Sequence, residues 1–287
     1  MLSVWGRAIR ARNAVAGALV AAAVLAGAPA ALANTTRSTN WAGYAIHRAG
    51  LSFRQVSATW TEPAATCVPG QPSYSAVWVG LGGYQASSDS LEQTGTEIDC
   101  NSAGKVVSSA WFELVPAPSK TVSLPVDPGD VMHATVTVTG HKVVIELQNA
   151  TRHRTFRRTM YDTSVDVSSA EWIVEAPSEC VSQFACQALP LANFGSVPFA
   201  SATATSRSGA VGAIGSHHWG RTRIDLIAGS QRLIVARNTS DVAGTAAPSA
   251  LQSGGSAFDV TYAAAAASDS TSLVSREARV SAGYLEH

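Results

Sequence analysis

Apolar and polar residues alternate at a spacing of two through most of this chain. Val56, Ala58 and Trp60 are separated by Ser57, Thr59 and Thr61. The same period recurs over residues 106–115, around Trp111, and over 131–139 and 142–147. Gly140 and His141 separate the last two runs, which predicts a hairpin. Shorter runs at 75–80, 156–160, 170–174, 197–202, 224–227, 233–236 and 258–262 predict further strands. No stretch past residue 33 keeps a helical period. Many short strands broken by Gly, Pro and Ser predict an all-β fold, an antiparallel two-sheet β-sandwich of jelly-roll or concanavalin-like type. The Ser/Gly/Ala-rich residues 204–215 read as a long loop. Neither a repeat nor a linker divides the pattern, so one domain is expected over residues 34–263.

Both ends depart from this pattern. Arg7, Arg10 and Arg12 precede an apolar run at 14–27, and Ala28-Pro29-Ala30 and Ala31-Leu32-Ala33 supply small residues for cleavage. This predicts a signal peptide over 1–33, cut after Ala33, and a secreted, extracellular product. The run is short for a membrane span and lacks the charge of a stop-transfer signal. No adjacent arginine pair marks a twin-arginine route. Five alanines at 263–267, followed by Ser-Asp-Ser-Thr-Ser, predict a disordered or loosely helical tail over 264–287.

Composition narrows the partners. The 287-residue chain has a formal charge of +0, and loss of the signal's three arginines leaves a small acidic excess. That balance argues against nucleic acid or an anionic membrane as a partner. A monomer is expected. Hydrophobic residues make up 46%, enough for a large core. The four cysteines, Cys67, Cys100, Cys180 and Cys186, are an even set in an exported chain and read as disulfides. Without a Cys-x-x-Cys pair, a zinc site is disfavoured.

Candidate chemistry sits inside the strand patterns. In Ala170-Glu171-Trp172-Ile173-Val174-Glu175, alternation puts Trp172 and Val174 in the core and Glu171, Ile173 and Glu175 on the other face. In a regular strand the two glutamates lie about 13 Å apart, too far to act as a carboxylate pair. A solvated face would explain both equally well. Trp111 and Glu113 likewise share a face, which suits a binding cleft or an ordinary wet sheet surface. Gln93, within Leu91-Glu92-Gln93-Thr94-Gly95, offers two amide donors and one acceptor but alone carries little catalytic signal. The histidines are scattered, and neither His-Glu-x-x-His nor Gly-x-Ser-x-Gly occurs.

Taken together, the motifs resemble those of the glutamic peptidase (eqolisin) family, in its bacterial branch. The matching strings are Asn40-Trp41-Ala42-Gly43-Tyr44, Ala76-Val77-Trp78-Val79-Gly80, Leu91-Glu92-Gln93-Thr94-Gly95 and Trp111-Phe112-Glu113-Leu114-Val115-Pro116. Pro128-Gly129-Asp130, Ala170 to Glu175, Phe194-Gly195 and Phe258-Asp259-Val260-Thr261-Tyr262 follow in family order. The resemblance implies a sandwich of two antiparallel sheets and an endopeptidase acting on polypeptides without metal or organic cofactor. It aligns the catalytic glutamine with Gln93 and the catalytic glutamate with Glu175. It puts Trp78 and Glu113 on the substrate cleft, with Trp111 beside them.

The implied chemistry makes Glu175 the general base on a water and the Gln93 amide the donor to the oxyanion. Activity should then be lost on the acid side in one step as Glu175 protonates, with a mildly acidic optimum. Fungal members carry an Asp where this chain has Gly82, are markedly acidic and have a long propeptide, whereas only residues 34–39 precede the first motif here. The expected disulfides are Cys67–Cys100 and Cys180–Cys186. Two rival readings are a glycoside hydrolase using Glu171, Glu175 or Glu113, and a non-catalytic carbohydrate- or peptide-binding module with Trp78 and Trp111 as its platform.

Overall fold

The computed structural model describes residues 34–182, 185–227 and 244–264, without the side chains of 180–187. In chain order the strands begin with β1 (Asn34–Ser38), β2 (Trp41–His47), β3 (Phe53–Thr61), β4 (Ala76–Gly82), β5 (Leu91–Cys100) and β6 (Val106–Val115). Next come β7 (Lys120–Val122), β8 (Val131–Thr139), β9 (Lys142–Asn149), β10 (Arg154–Tyr161), β11 (Ser169–Glu175), β12 (Ser178–Ser182) and β13 (Ala185–Ala188). The last are β14 (Ser196–Ser206), β15 (Val211–Ala213), β16 (Gly220–Leu226), β17 (Gly244–Pro248) and β18 (Phe258–Ala264). One short 3-10 turn, Ser253–Gly255, is the helical content of the described residues.

The expected all-β class holds, but the expected two sheets are joined. Sixteen strands form one hydrogen-bonded sheet, fourteen of them along the path β10-β9-β8-β3-β14-β18-β17-β16-β2-β11-β4-β5-β6-β7 and β1 and β15 attached beside it. Every pairing is antiparallel except β1 with β16. β16 and β17 carry the path from one half to the other, meeting at Leu226 and Ala246. The halves then face each other, since β3 and β8 touch β4, and β8 and β9 touch β5. The alternation explains this arrangement. Met132, Ala134, Val136 and Val138 of β8 meet Val143, Ile145 and Leu147 of β9 in the main core, together with Trp172, Val174, Val77, Val79 and Phe112 from the other half. Burial of this apolar area is the dominant favourable term in folding.

A second apolar cluster lies on the opposite face of the β2-β11-β4-β5-β6 half. It is built from Trp41, Ala45, Ala76, Trp78, Tyr84, Leu91, Trp111, Ile173 and Ile224. This half is therefore covered on both faces. That is why β2, β4 and β11 read as nearly continuous buried runs rather than clean alternations.

Residues 204–215, expected as a loop, form the end of β14 and a hairpin with β15, in which Thr203, Ala204 and Thr205 pair with Ala213, Gly212 and Val211. Strand β18 runs one residue past the expected domain limit, to Ala264. The signal peptide, the predicted strand at 233–236 and the tail from 265 lie outside the described residues. The Cys67–Cys100 disulfide is present, with a Cα–Cα distance of 5.3 Å. Cys180 and Cys186 are directly opposed in the β12–β13 register, and their side chains lie outside the described residues.

The main core also holds a buried acid. Glu62 is 1% exposed. Its Oε2 accepts from Thr96 Oγ1 at 2.6 Å and from Trp60 Nε1 at 3.4 Å, while Oε1 has no partner. Burial lifts its carboxyl to about 8. An acid whose folded pKa is raised contributes fully below its unfolded value and loses that contribution as pH rises through the folded one. Stability should therefore fall between about pH 4.5 and about pH 8, by up to a few kcal/mol from this group. Glu62→Gln should flatten this slope and raise the melting temperature at the alkaline end. Thermal scans across that range check it, and an unchanged slope would contradict it.

Candidate active site

Four adjacent strands, β11, β4, β5 and β6, bring the chemistry-bearing residues onto one face. β11 lies between β2 and β4, and β5 lies between β4 and β6. Register then builds three rows across the sheet. The first runs Ala45, Glu171, Gly80, Gln93, Glu113; the second Gly43, Ile173, Trp78, Gly95, Trp111; the third Trp41, Glu175, Ala76, Glu97, Ser109. All of these share the face of the second apolar cluster. The middle row is held together by close approach. A Cβ on Gly95 would fall 1.9 Å from Val77 O and 2.7 Å from Trp78 Cβ, so only glycine lets the Trp78 strand lie there.

Trp78 joins the two ends of the site. Its indole N–H donates to Glu175 Oε2 at 2.8 Å. The far edge of the same indole crosses Gly80 beside Gln93, because a Cβ on Gly80 would meet Trp78 Cζ3 at 3.0 Å and Gln93 Cβ at 3.2 Å. Glu175 Oε1 accepts from Asn40 Nδ2 at 3.0 Å. Asn40 is itself fixed, since its Oδ1 accepts from Ser38 Oγ at 3.1 Å. Trp41 packs edge-on against Trp78, with ring centroids 4.9 Å apart. Burial lifts the Glu175 carboxyl to about 8, with the nearby Glu113 adding to the rise, while N–H donors from Trp78, Trp41 and Asn40 hold it down. A carboxyl so placed is a base matched to neutral pH.

Gln93 is 4% exposed and its amide is oriented from one side only. Nε2 donates to Glu113 Oε2 at 2.7 Å. Oε1 is buried and has no partner, and neither has the Trp111 indole N–H on the same face. Orphaned buried polar atoms are rare and costly, and here one acceptor and one donor line a single face. The Glu113 carboxyl is raised by burial, against the bond from Gln93. Glu97, two rows over, accepts from Ser109 Oγ at 2.9 Å.

The sequence-expected residues thus fall on one face, with Trp78 tied to Glu175 and Gln93 tied to Glu113. The solvated-face explanation fails for Glu171, which is fully buried, and Glu175 is partly buried. Both Glu171 oxygens lack a partner. Burial holds its carboxyl well above the usual range, and Asp166 and Glu92 add to the rise. The Ser169 hydroxyl opposes this without reaching hydrogen-bonding geometry. Sequence reasoning missed Asn40 and Trp41 as partners of Glu175. Their signal was a polar residue leading into a strand of small and aromatic residues, readable only once β2 is known to flank β11. Among the described residues, no group of three or more His, Cys, Asp or Glu could hold a metal ion, and no helix is long and apolar enough to cross a membrane.

Comparison with known proteins bears on the family and the fold. The sequence profile of the Peptidase A4 family matches residues 39–245. Scytalido-glutamic peptidase, solved with a transition state analog inhibitor, superposes with a TM-score of 0.61 at 23% identity, over 78% of this chain and 98% of that one. SCP-B, a member of the eqolisin family solved in a complex with the tripeptide Ala-Ile-His, gives 0.56 at 22% identity over 78% and 98%. Aspergilloglutamic peptidase from Aspergillus niger gives 0.50 at 24% identity over 67% and 99%. At these identities the superpositions establish the fold. No curated protein sequence matches the chain.

Proposed function

The chain belongs to the Peptidase A4 family, and from that premise we propose that it is a secreted endopeptidase working with a Gln93/Glu175 dyad. Glu175 takes a proton from a water, which attacks the scissile carbonyl of an unfolded polypeptide. The Gln93 Oε1 accepts a hydrogen bond from the water's other O–H, which stays on the attacking oxygen. The amide N–H not engaged with Glu113 donates to the developing oxyanion. Glu175 then delivers its proton to the leaving amine. Trp78 and Asn40 keep the Glu175 carboxylate aimed, and Trp111 with Glu113 holds the substrate backbone. Neither metal nor organic cofactor enters this scheme. The enzyme acts outside the cell as a monomer, after loss of residues 1–33, and the segment from 265 onward is dispensable.

The observation that carries the reading is the pair of anchored groups on one sheet face. A carboxyl is held by two side-chain N–H donors, and an amide is held by one bond with its oxygen left free. A general binding module would not need either group oriented while leaving an acceptor unpaired. A glycoside hydrolase pairs two carboxyls across the scissile bond. Here Glu171 and Glu175 stand four residues apart on one strand, about 13 Å in regular geometry.

The test is the pH–rate profile of peptide cleavage. A base must be ionised to act. With its carboxyl lifted to about 8, Glu175 gains the working form as pH rises through neutrality. The value of kcat/KM should therefore climb in one step on the acid side, centred well above the ordinary carboxylate range and above the mildly acidic optimum expected from sequence, and the profile decides between the two. Activity that instead grows as pH falls below neutrality would make the protonated carboxyl the working form, and would remove Glu175 as the base.

A further inference from the structure

We propose that Asp166 is a positioning residue for this site: its carboxylate clasps the β4–β5 loop to the segment entering β11, and so fixes the strand that carries Gln93 relative to the strand that carries Glu175, with β4 between them. The proposal rests on the peptidase reading for its kinetic consequence and on geometry for the clasp itself.

The two connections concerned are residues 83–90, between β4 and β5, and residues 162–168, between β10 and β11. Gln93 is the third residue of β5, and Glu171 and Glu175 lie on β11. Asp166 Oδ2 accepts from the backbone N–H of Gly83 at 3.3 Å and from the Ser88 hydroxyl in a short bond. Ser88 is buried, and its Oγ also accepts from Gly83 N–H at 3.1 Å, so one carboxylate oxygen gathers both ends of the loop. Asp166 Oδ1 accepts from Ser168 N–H at 2.8 Å, which fixes the carboxylate to its own segment just before β11.

The fit is close. A Cβ on Gly82, which has φ +88°, would fall 2.7 Å from Asp166 Cβ and 2.7 Å from Asp166 O. The backbone of β4 therefore ends in direct contact with Asp166, at a position where a side chain would displace it. Burial raises the carboxyls of Glu92, the neighbour of Gln93, and of Glu171, on the row of Gln93, and the charge of Asp166 adds to both. Glu92 Oε1 accepts from Ser90 Oγ at 2.7 Å. No other side chain ties these two loops with so many bonds among the described residues, and a charge-assisted bond is about twice as strong as a neutral one.

The experiment compares wild type with Asp166→Ala, Ser88→Ala and their double variant, with Asp166→Asn as a milder change that keeps an acceptor for Ser168. Two readouts are taken, steady-state kinetics on a peptide substrate and amide hydrogen exchange. Removing either half of the clasp should speed exchange of residues 83–90 and leave β8 and β9 protected. It should lower kcat by about 10²-fold, the cost of an error of about 1 Å in the placed groups, with KM little changed. Losses in the double variant should be far from additive, because both changes break one bond, and Asp166→Asn should recover part of the rate. Unchanged exchange over 83–90 would overturn the clasp. Faster exchange with an unchanged kcat would overturn its positioning role. Additive kinetic losses would overturn the shared bond. A wild-type protein that cleaves no peptide would sink the peptidase reading instead, and the clasp would then stand or fall on exchange alone.

Discussion

Glu175→Gln is expected to reduce peptide cleavage by at least about 10²–10⁴-fold, the usual contribution of a positioned general base. The substitution conserves shape and removes only the ability to take and return a proton. Glutamine can accept from either Trp78 Nε1 or Asn40 Nδ2, but it must turn its NH2 group toward the other. One bond is therefore lost along with the base. Stability should not fall in proportion. The carboxyl it replaces is raised by burial to about 8, so between its unfolded pKa and that value folding must protonate it, a cost that an amide lacks. A folded protein of equal or higher melting temperature at neutral pH, with near-background kcat, is the expected pair of results. Steady-state kinetics and a thermal scan on one preparation check both.

Gln93→Ala is expected to cost about 10²–10³-fold in kcat, the loss seen when one oxyanion donor is removed, or about 3–4 kcal/mol of barrier. Two consequences separate it from the first substitution. Alanine leaves Glu113 without the amide that donates to it at 2.7 Å, so the Glu113 carboxyl, already raised, should rise further. Substrate contacts near Glu113 should suffer too, and KM should move with kcat. Gln93→Asn keeps the amide but withdraws it by one methylene, and should recover little activity if placement matters. In the proposed scheme both residues act on one water and one carbonyl, so the Gln93→Ala, Glu175→Gln double variant should be scarcely worse than the worse single variant. Kinetics of the three variants check this, and fully additive losses would separate the two residues functionally.

Particular residues show where the sequence was enough. The faces of β11 were legible because Trp172 and Val174 differ in kind from Glu171 and Glu175, and the structure puts the former pair in the main core. Trp111 and Glu113 were legible for the same reason. What alternation could not reveal was the cover on the second face. With Ile173, Trp78 and Trp111 packed there, Glu171 is buried and Glu175 partly so, and burial itself raises both carboxyls. Asn40 stood in a matching string, but its bond to Glu175 was unreadable because it leads into β2, which is buried on both sides and shows no polar period. The β14–β15 hairpin was hidden by composition. Ser, Thr, Gly and Ala look like a loop, yet small side chains suit this close pairing, and a Cβ on Gly212 would meet Ser216 Cβ at 2.7 Å. The single continuous sheet was unreadable because its bridge depends on β17, a five-residue strand without a strong pattern.

One measurement bears most directly on Glu175 as the base of a peptide-bond-cleaving site. Wild-type protein and Glu175→Gln, both shown to be folded, are incubated with an unfolded protein substrate near pH 8, the range set by the raised carboxyl, and new chain termini are identified by mass spectrometry. Wild type should generate internal cleavages, unaffected by pepstatin or by a chelator, and the variant should generate none above background. Equal cleavage by the variant, or complete block of the wild type by either inhibitor, would contradict it.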